Sequence, residues 1–268
     1  MNEVGFNTHF TELQGRHAIL KEHCADLLEL YNHMVQVEGP NIKSRYMMLV
    51  GQFEHQVFEL KTEISRWKRR FMLRQAALNK GDAPDYMAIE TQLDGEFAAY
   101  MEEIKKHLQE IREASLLYHS DCLSEEEATA LRADYLSAVK KLHPDINPDL
   151  PPAAADLWTQ IQTAYADQDW GQVRFLAGLV DSVVSGRQTF EATPDGLAQL
   201  EDACAKLERK ARELEARIEK LKSQCPFAYK VLLDDEEAVA NRQAQLRTQI
   251  EMLEACLKEY EEVWNHGK

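Results

Sequence analysis

Glycine and proline are scarce in this 268-residue chain, 11 and 8 in number, and they gather at a few points. Between them run long stretches of Ala, Leu, Glu, Lys, Gln and Arg, residues that favour helix, and no stretch reads as a strand. Basic charge is also short: 31 Lys and Arg against 46 Asp and Glu leave a formal net charge of -15. That balance disfavours a nonspecific hold on nucleic acid or an anionic membrane surface. The five cysteines, Cys24, Cys122, Cys204, Cys225 and Cys256, stand singly, without the close pairs of a disulfide framework or a zinc knuckle, which implies a reducing compartment. No basic stretch leading into an apolar run follows Met1, and no window approaches the roughly 18 to 20 apolar residues of a membrane span, so a cytoplasmic protein is expected. Gly-rich phosphate loops, nucleophile elbows and paired catalytic carboxylates are missing too, and neither an enzyme nor a cofactor is expected.

What is present is helical periodicity, and the expected fold is all-α, with long antiparallel hairpins flanking a small bundle. A first helix spans about 7–37 and is expected to stop at Gly39-Pro40; a second follows over 41–79. In the second, Val50, Phe53, Val57, Leu60, Ile64, Trp67 and Phe71 take alternating steps of three and four, the seam of a coiled coil. After the break from Asn79 to Pro84, Ile89, Leu93, Phe97, Tyr100, Ile104 and Ile111 repeat those steps and predict an antiparallel partner. Beyond Thr193-Pro194, a cap and first-turn proline, Leu200, Cys204, Leu207, Ala211, Leu214, Ile218 and Leu221 form another seam, broken at Pro226. Val239, Leu246, Ile250, Leu253, Leu257, Tyr260 and Trp264 follow, which predicts a second hairpin or a homodimerisation element. The expected segments are an N-terminal arm over 1–118, a compact module over 119–187 and a C-terminal hairpin over 194–268.

The heptad rhythm lapses in the central segment. Tyr135, Ala138, Val139 and Leu142 share one helix face, Trp158, Ile161, Ala164 and Tyr165 another, and the loop from Pro144 to Pro152 joins the two helices as an antiparallel pair. Pro144 ends the first helix and is expected to leave His143 and Asp145 exposed at the tip. The run from Tyr135 through Lys140-Lys141-Leu142-His143-Pro144-Asp145 and Asn147, closed by Ala164-Tyr165, resembles the J domain, the module through which DnaJ-like proteins stimulate the ATPase of DnaK-type chaperones.

The resemblance covers about a quarter of the chain and implies a co-chaperone that binds a DnaK-type ATPase through His143, Pro144 and Asp145, with Arg132, Lys140, Lys141 and Asn147 in support and the arms selecting a client or a location. Two departures stand beside it. Leu136, Ser137 and Ile146 occupy positions that are often basic in the family, and Asp134 adds the opposite sign. The usual opening helix is missing, and Leu116-Leu117-Tyr118, at the end of the first arm, is expected to take its place. The alternative is a coiled-coil scaffold that keeps a degenerate J-like module. The basic run Arg66-Trp67-Lys68-Arg69-Arg70 reads as an outer face pairing with the acidic helix after Glu90, and His119 with Cys122 as too few ligands for a structural zinc.

Overall fold

A computed structural model describes residues 3–119, 124–184 and 190–266, with the side chains of 3–5 and 125 left aside. All of its regular structure is helical, as expected: α1 (Glu3–His33), α2 (Gly39–Tyr46), α3 (Gln52–Asn79), α4 (Tyr86–Tyr118), α5 (Glu125–Leu142), α6 (Pro152–Ala166), α7 (Trp170–Val183), α8 (Pro194–Lys222), the short α9 (Lys230–Leu233) and α10 (Glu236–His266).

Several termini follow from local chemistry. Asp85 accepts from the backbone N–H groups of Met87 and Ala88 at the start of α4, after Gly81 turns the chain at a φ of 81°. Ser124 and Glu127 close a reciprocal capping box on α5, and Thr193 accepts from Gly196 N–H with Pro194 in the first turn of α8.

The expected stop at Gly39-Pro40 does not occur. Helical backbone continues from α1 through a π-turn at Met34–Glu38 into α2, with a second π-turn at Met47–Gly51 before α3. In a regular α-helix Pro40 would lack the N–H that bonds four residues back and would crowd that carbonyl. The π-turn widens the ring just ahead of it, and Gly39 N–H donates to Met34 O, five residues back. A Cβ at residue 39 would stand 2.9 Å from that same oxygen, so glycine fits the widened turn.

The chain folds as two compact units, one built from 1–40 with 121–228 and the other from 41–120 with 229–268. Both the 1–118 and the 194–268 stretches therefore contribute to both units. Within these units α8 packs on α1, and α10 packs on α3. In the first unit α1 and α8 run parallel, with His9, Arg16 and His23 meeting Glu201, Glu208 and Glu215 at seven-residue steps on both helices. The seam of α8 is covered by α1 and by α5, α6 and α7. Leu207, Ala211 and Leu214 share one buried core with Cys24, Ala25 and Leu28 of α1 and with the apolar faces of α5, α6 and α7. Leu200 and Cys204 pack on Phe10 and Leu13.

In the second unit, α3 and α4 lie antiparallel. Lys43 of α2 pairs with Glu110, while Arg66 and Arg70 of α3 both reach Glu90. The arginines of the basic run are thus paired on α4, including a two-bond contact from Arg69 to Glu96 at 2.8 Å each. Trp67 stands edge-on to Trp264 of α10 and lies under the Arg70 guanidinium, 4.1 Å from the ring centre. Val57, Ile64, Leu93, Ile104, Leu246 and Ile250 are buried here.

Candidate functional site

Antiparallel α5 and α6 carry the J-like residues. Tyr135 stacks on Tyr165 with ring centres 3.8 Å apart, and Tyr135, Ala138, Val139, Leu142, Trp158, Ile161, Ala164 and Tyr165 are all buried, as their spacing requires. Helix α7 runs parallel to α5, with Val173, Leu176 and Val180 inward. Leu179 is 39% exposed.

Leu116-Leu117-Tyr118, expected in the place of an opening helix, belong to α4 of the second unit, where Leu116 and Tyr118 are exposed. Helix α1 packs antiparallel to α5. Asn32 donates to the Tyr135 hydroxyl at 3.1 Å, and His33 Nδ1 lies 3.1 Å from the Tyr165 hydroxyl. Burial raises both phenols well above their ordinary range.

The tripeptide follows α5 directly. His143 is its C-cap, and its carbonyl accepts from the N–H groups of Ile146 and Asn147, which folds the loop into a tight turn. Pro144 and Asp145 are exposed, but His143, expected at an exposed tip, is buried. Its ring meets Trp158 edge-on at 5.2 Å, and its Nδ1 accepts from Asp145 N–H at 3.1 Å. Burial holds the imidazole below its ordinary range; the Asp145 carboxylate opposes that shift and the Lys210 ammonium adds to it. With Nδ1 taken by backbone and the ring buried beside the Trp158 indole, His143 shapes the loop more than it offers a contact.

Every other predicted site residue except Pro144 has a charged or polar partner within this unit. Asp145 pairs with Lys210 of α8 at 2.5 Å. Arg132 makes a two-bond contact to Glu29 of α1 at 2.6 and 2.9 Å, and Lys140 reaches Glu22 at 2.7 Å and Asp26 at 3.8 Å. Asn147 accepts from Lys21 at 2.8 Å and donates to the Lys140 carbonyl at 3.0 Å, while Lys141 pairs with Asp181 of α7 at 2.5 Å. Beside Asp145 opens a groove of about 480 Å³ lined by Ile146, Pro148, Phe190, Lys206 and Lys210.

Sequence reasoning missed Glu22, Asp26, Glu29 and Lys210. The carboxylates stand at i, i+4 and i+7, visible as an acidic stripe, yet such a stripe reads as a solvated face until a basic helix is known to lie opposite. Of the His119 and Cys122 pair, Cys122 lies outside the described residues. Compared with protein-family models, curated proteins and solved structures, the chain matches none of them significantly. No described helix is long and apolar enough to cross a membrane.

Proposed function

We propose that this chain is a cytoplasmic J-type co-chaperone that binds a DnaK-type ATPase through the loop after α5 and stimulates ATP hydrolysis without performing it. One observation carries the reading: Pro144 and Asp145 stand exposed on the loop joining two antiparallel helices, above a core of Tyr135, Leu142, Trp158 and Tyr165. A side chain at such a tip is available to a partner while its position is set by the helices beneath. His143 contributes by shaping that loop, and the remaining helices provide surfaces for a client or for location.

The experiment adds the full chain to a DnaK-type chaperone and follows ATP hydrolysis. Stimulation that Asp145→Asn removes, with far-ultraviolet circular dichroism unchanged, supports the reading; equal stimulation by the variant overturns it.

A second reading has its own support. Arg132 and Lys140 are paired with α1 and His143 is buried, which suits a scaffold whose J-like helices persist as packing elements. Capture from a lysate separates the two, since a DnaK-type chaperone retained by the unaltered chain and lost with Asp145→Asn is expected only of the first.

A further inference from the structure

On the J-type reading, the cations of α5 and the carboxylate of Asp145 are the groups a chaperone would meet, and both sets are already taken inside the unit. The α1 carboxylates form one stripe of Glu22, Asp26 and Glu29 opposite Lys140 and Arg132, with the sign that a complementary partner surface would present. Lys210 does the converse for Asp145, placing an ammonium against the one acidic group of the tripeptide. Charge complementarity sets encounter rate and register, so an internal copy of the partner's charges lowers both.

The outer pairs are of a kind that can be exchanged. Glu22 and Asp26 side chains are 66% and 54% exposed, and Asp145 is 40% exposed, so water competes for each of them. What keeps α1 and α8 in place is the apolar layer beneath, including Cys24, Leu28, Leu207 and Leu214. The ion pairs therefore need not be present for the fold to persist.

We propose that α1 and α8 form an intramolecular block on the chaperone-facing surface, Glu22, Asp26 and Glu29 occupying the cations of α5 while Lys210 holds Asp145. The surface is then free only in a minor state in which these pairs have exchanged. This inference rests on the J-type reading and adds regulation to the same site.

The test uses the full chain with Glu22→Gln, Asp26→Asn and Lys210→Ala combined, none of which removes a group of the tripeptide. Exposed pairs each shift an equilibrium by about 1.4- to 5-fold, so the triple variant is expected to reach half-maximal stimulation of a DnaK-type ATPase at roughly tenfold lower concentration. Adding Asp145→Asn to it is expected to remove the stimulation. If the triple variant and the unaltered chain act at the same concentration, the block is overturned while the J-type reading stands. If neither stimulates, the reading fails and the block with it. Stimulation that survives Asp145→Asn also overturns the block, because the released activity would not run through the tripeptide. Should the triple variant lose its helical circular dichroism, Lys210→Ala alone takes its place, with a twofold or larger shift expected and no shift counting against the block.

Discussion

Lys210 Nζ lies 2.5 Å from a carboxylate oxygen of Asp145, which ties a loop between α5 and α6 to a residue of α8 more than sixty positions further along the chain. The Lys210 side chain is 25% exposed and that of Asp145 is 40% exposed, so solvent screens the pair and its worth is small. Asp145→Asn is expected to lower the unfolding free energy by about 1 kcal/mol or less, read from urea denaturation. A larger loss would mean that the loop holds the unit together, and functional data on this variant would then report unfolding.

Leu214 behaves differently. It is 1% exposed and belongs to a core shared by α1, α5, α6, α7 and α8, so its role reaches beyond its own helix. Leu214→Ala is expected to cost about 2 to 5 kcal/mol, lost transfer energy plus the cavity left behind. Amide hydrogen exchange should quicken in α5 and α6 as well as in α8; faster exchange confined to α8 would show that the module keeps an independent core.

The same shared core sets the expectation for the isolated 119–187 segment. Without α1 and α8 it loses the cover of Cys24, Leu28, Leu207 and Leu214 and exposes apolar surface on three short helices. Short helices are marginal unless an apolar face is covered, and so small a unit buries too little to compensate. The fragment is expected to show weak helical circular dichroism and no cooperative urea transition, whereas a sharp transition would count against the shared core.

The elements read well from sequence where one residue decides the outcome locally. Thr193 and Pro194 start α8, and the faces of α5 and α6 are those of their apolar spacing. Partner choice was not legible, because a seam states that a helix needs cover and not which helix supplies it. Leu207 and Leu214 would pack as readily on α10 as on α1. Gly39-Pro40 misled for a related reason: the pair ends a helix with regular turns, but one widened turn lets the helix pass. Within the site, the buried His143 was hidden because its cover, Trp158, lies fifteen residues away across a loop.

Stability should depend on pH through the histidines of the first unit. Burial lowers the imidazole pKa of His17, His33 and His143, with the Lys21 ammonium adding to the shift at His17 and the Arg132 guanidinium at His33. Above the unfolded value near 6.5 both states are neutral and the contribution is complete. As pH falls below it, the unfolded chain takes up protons that the folded chain resists, so stability declines until the lowered folded values are reached. The urea midpoint is expected to fall between about pH 7.5 and pH 5.5, and to fall less with His33→Gln. A midpoint independent of pH, or an undiminished slope in the variant, would contradict this.

The seams that could have joined two chains are covered within one. On α8, Leu200, Cys204, Leu207, Ala211, Leu214 and Ile218 are buried, and the parallel register with α1 is marked by three pairs at heptad steps. On α10, Val239, Leu246, Ile250 and Trp264 are buried, and Arg247 lies 5.1 Å from the Phe53 ring centre of α3. A parallel dimer through either seam would have to displace α1 or α3 and expose as much apolar surface as it covered, while also losing the entropy of a free second chain. Within one chain the two strands of each seam are tethered, and their effective concentration exceeds any ordinary protein concentration. Sedimentation velocity at micromolar concentration is therefore expected to give a single species of 30.8 kDa. A dimer that Leu214→Asp dissociates into folded monomers would show that the seam serves association between chains instead.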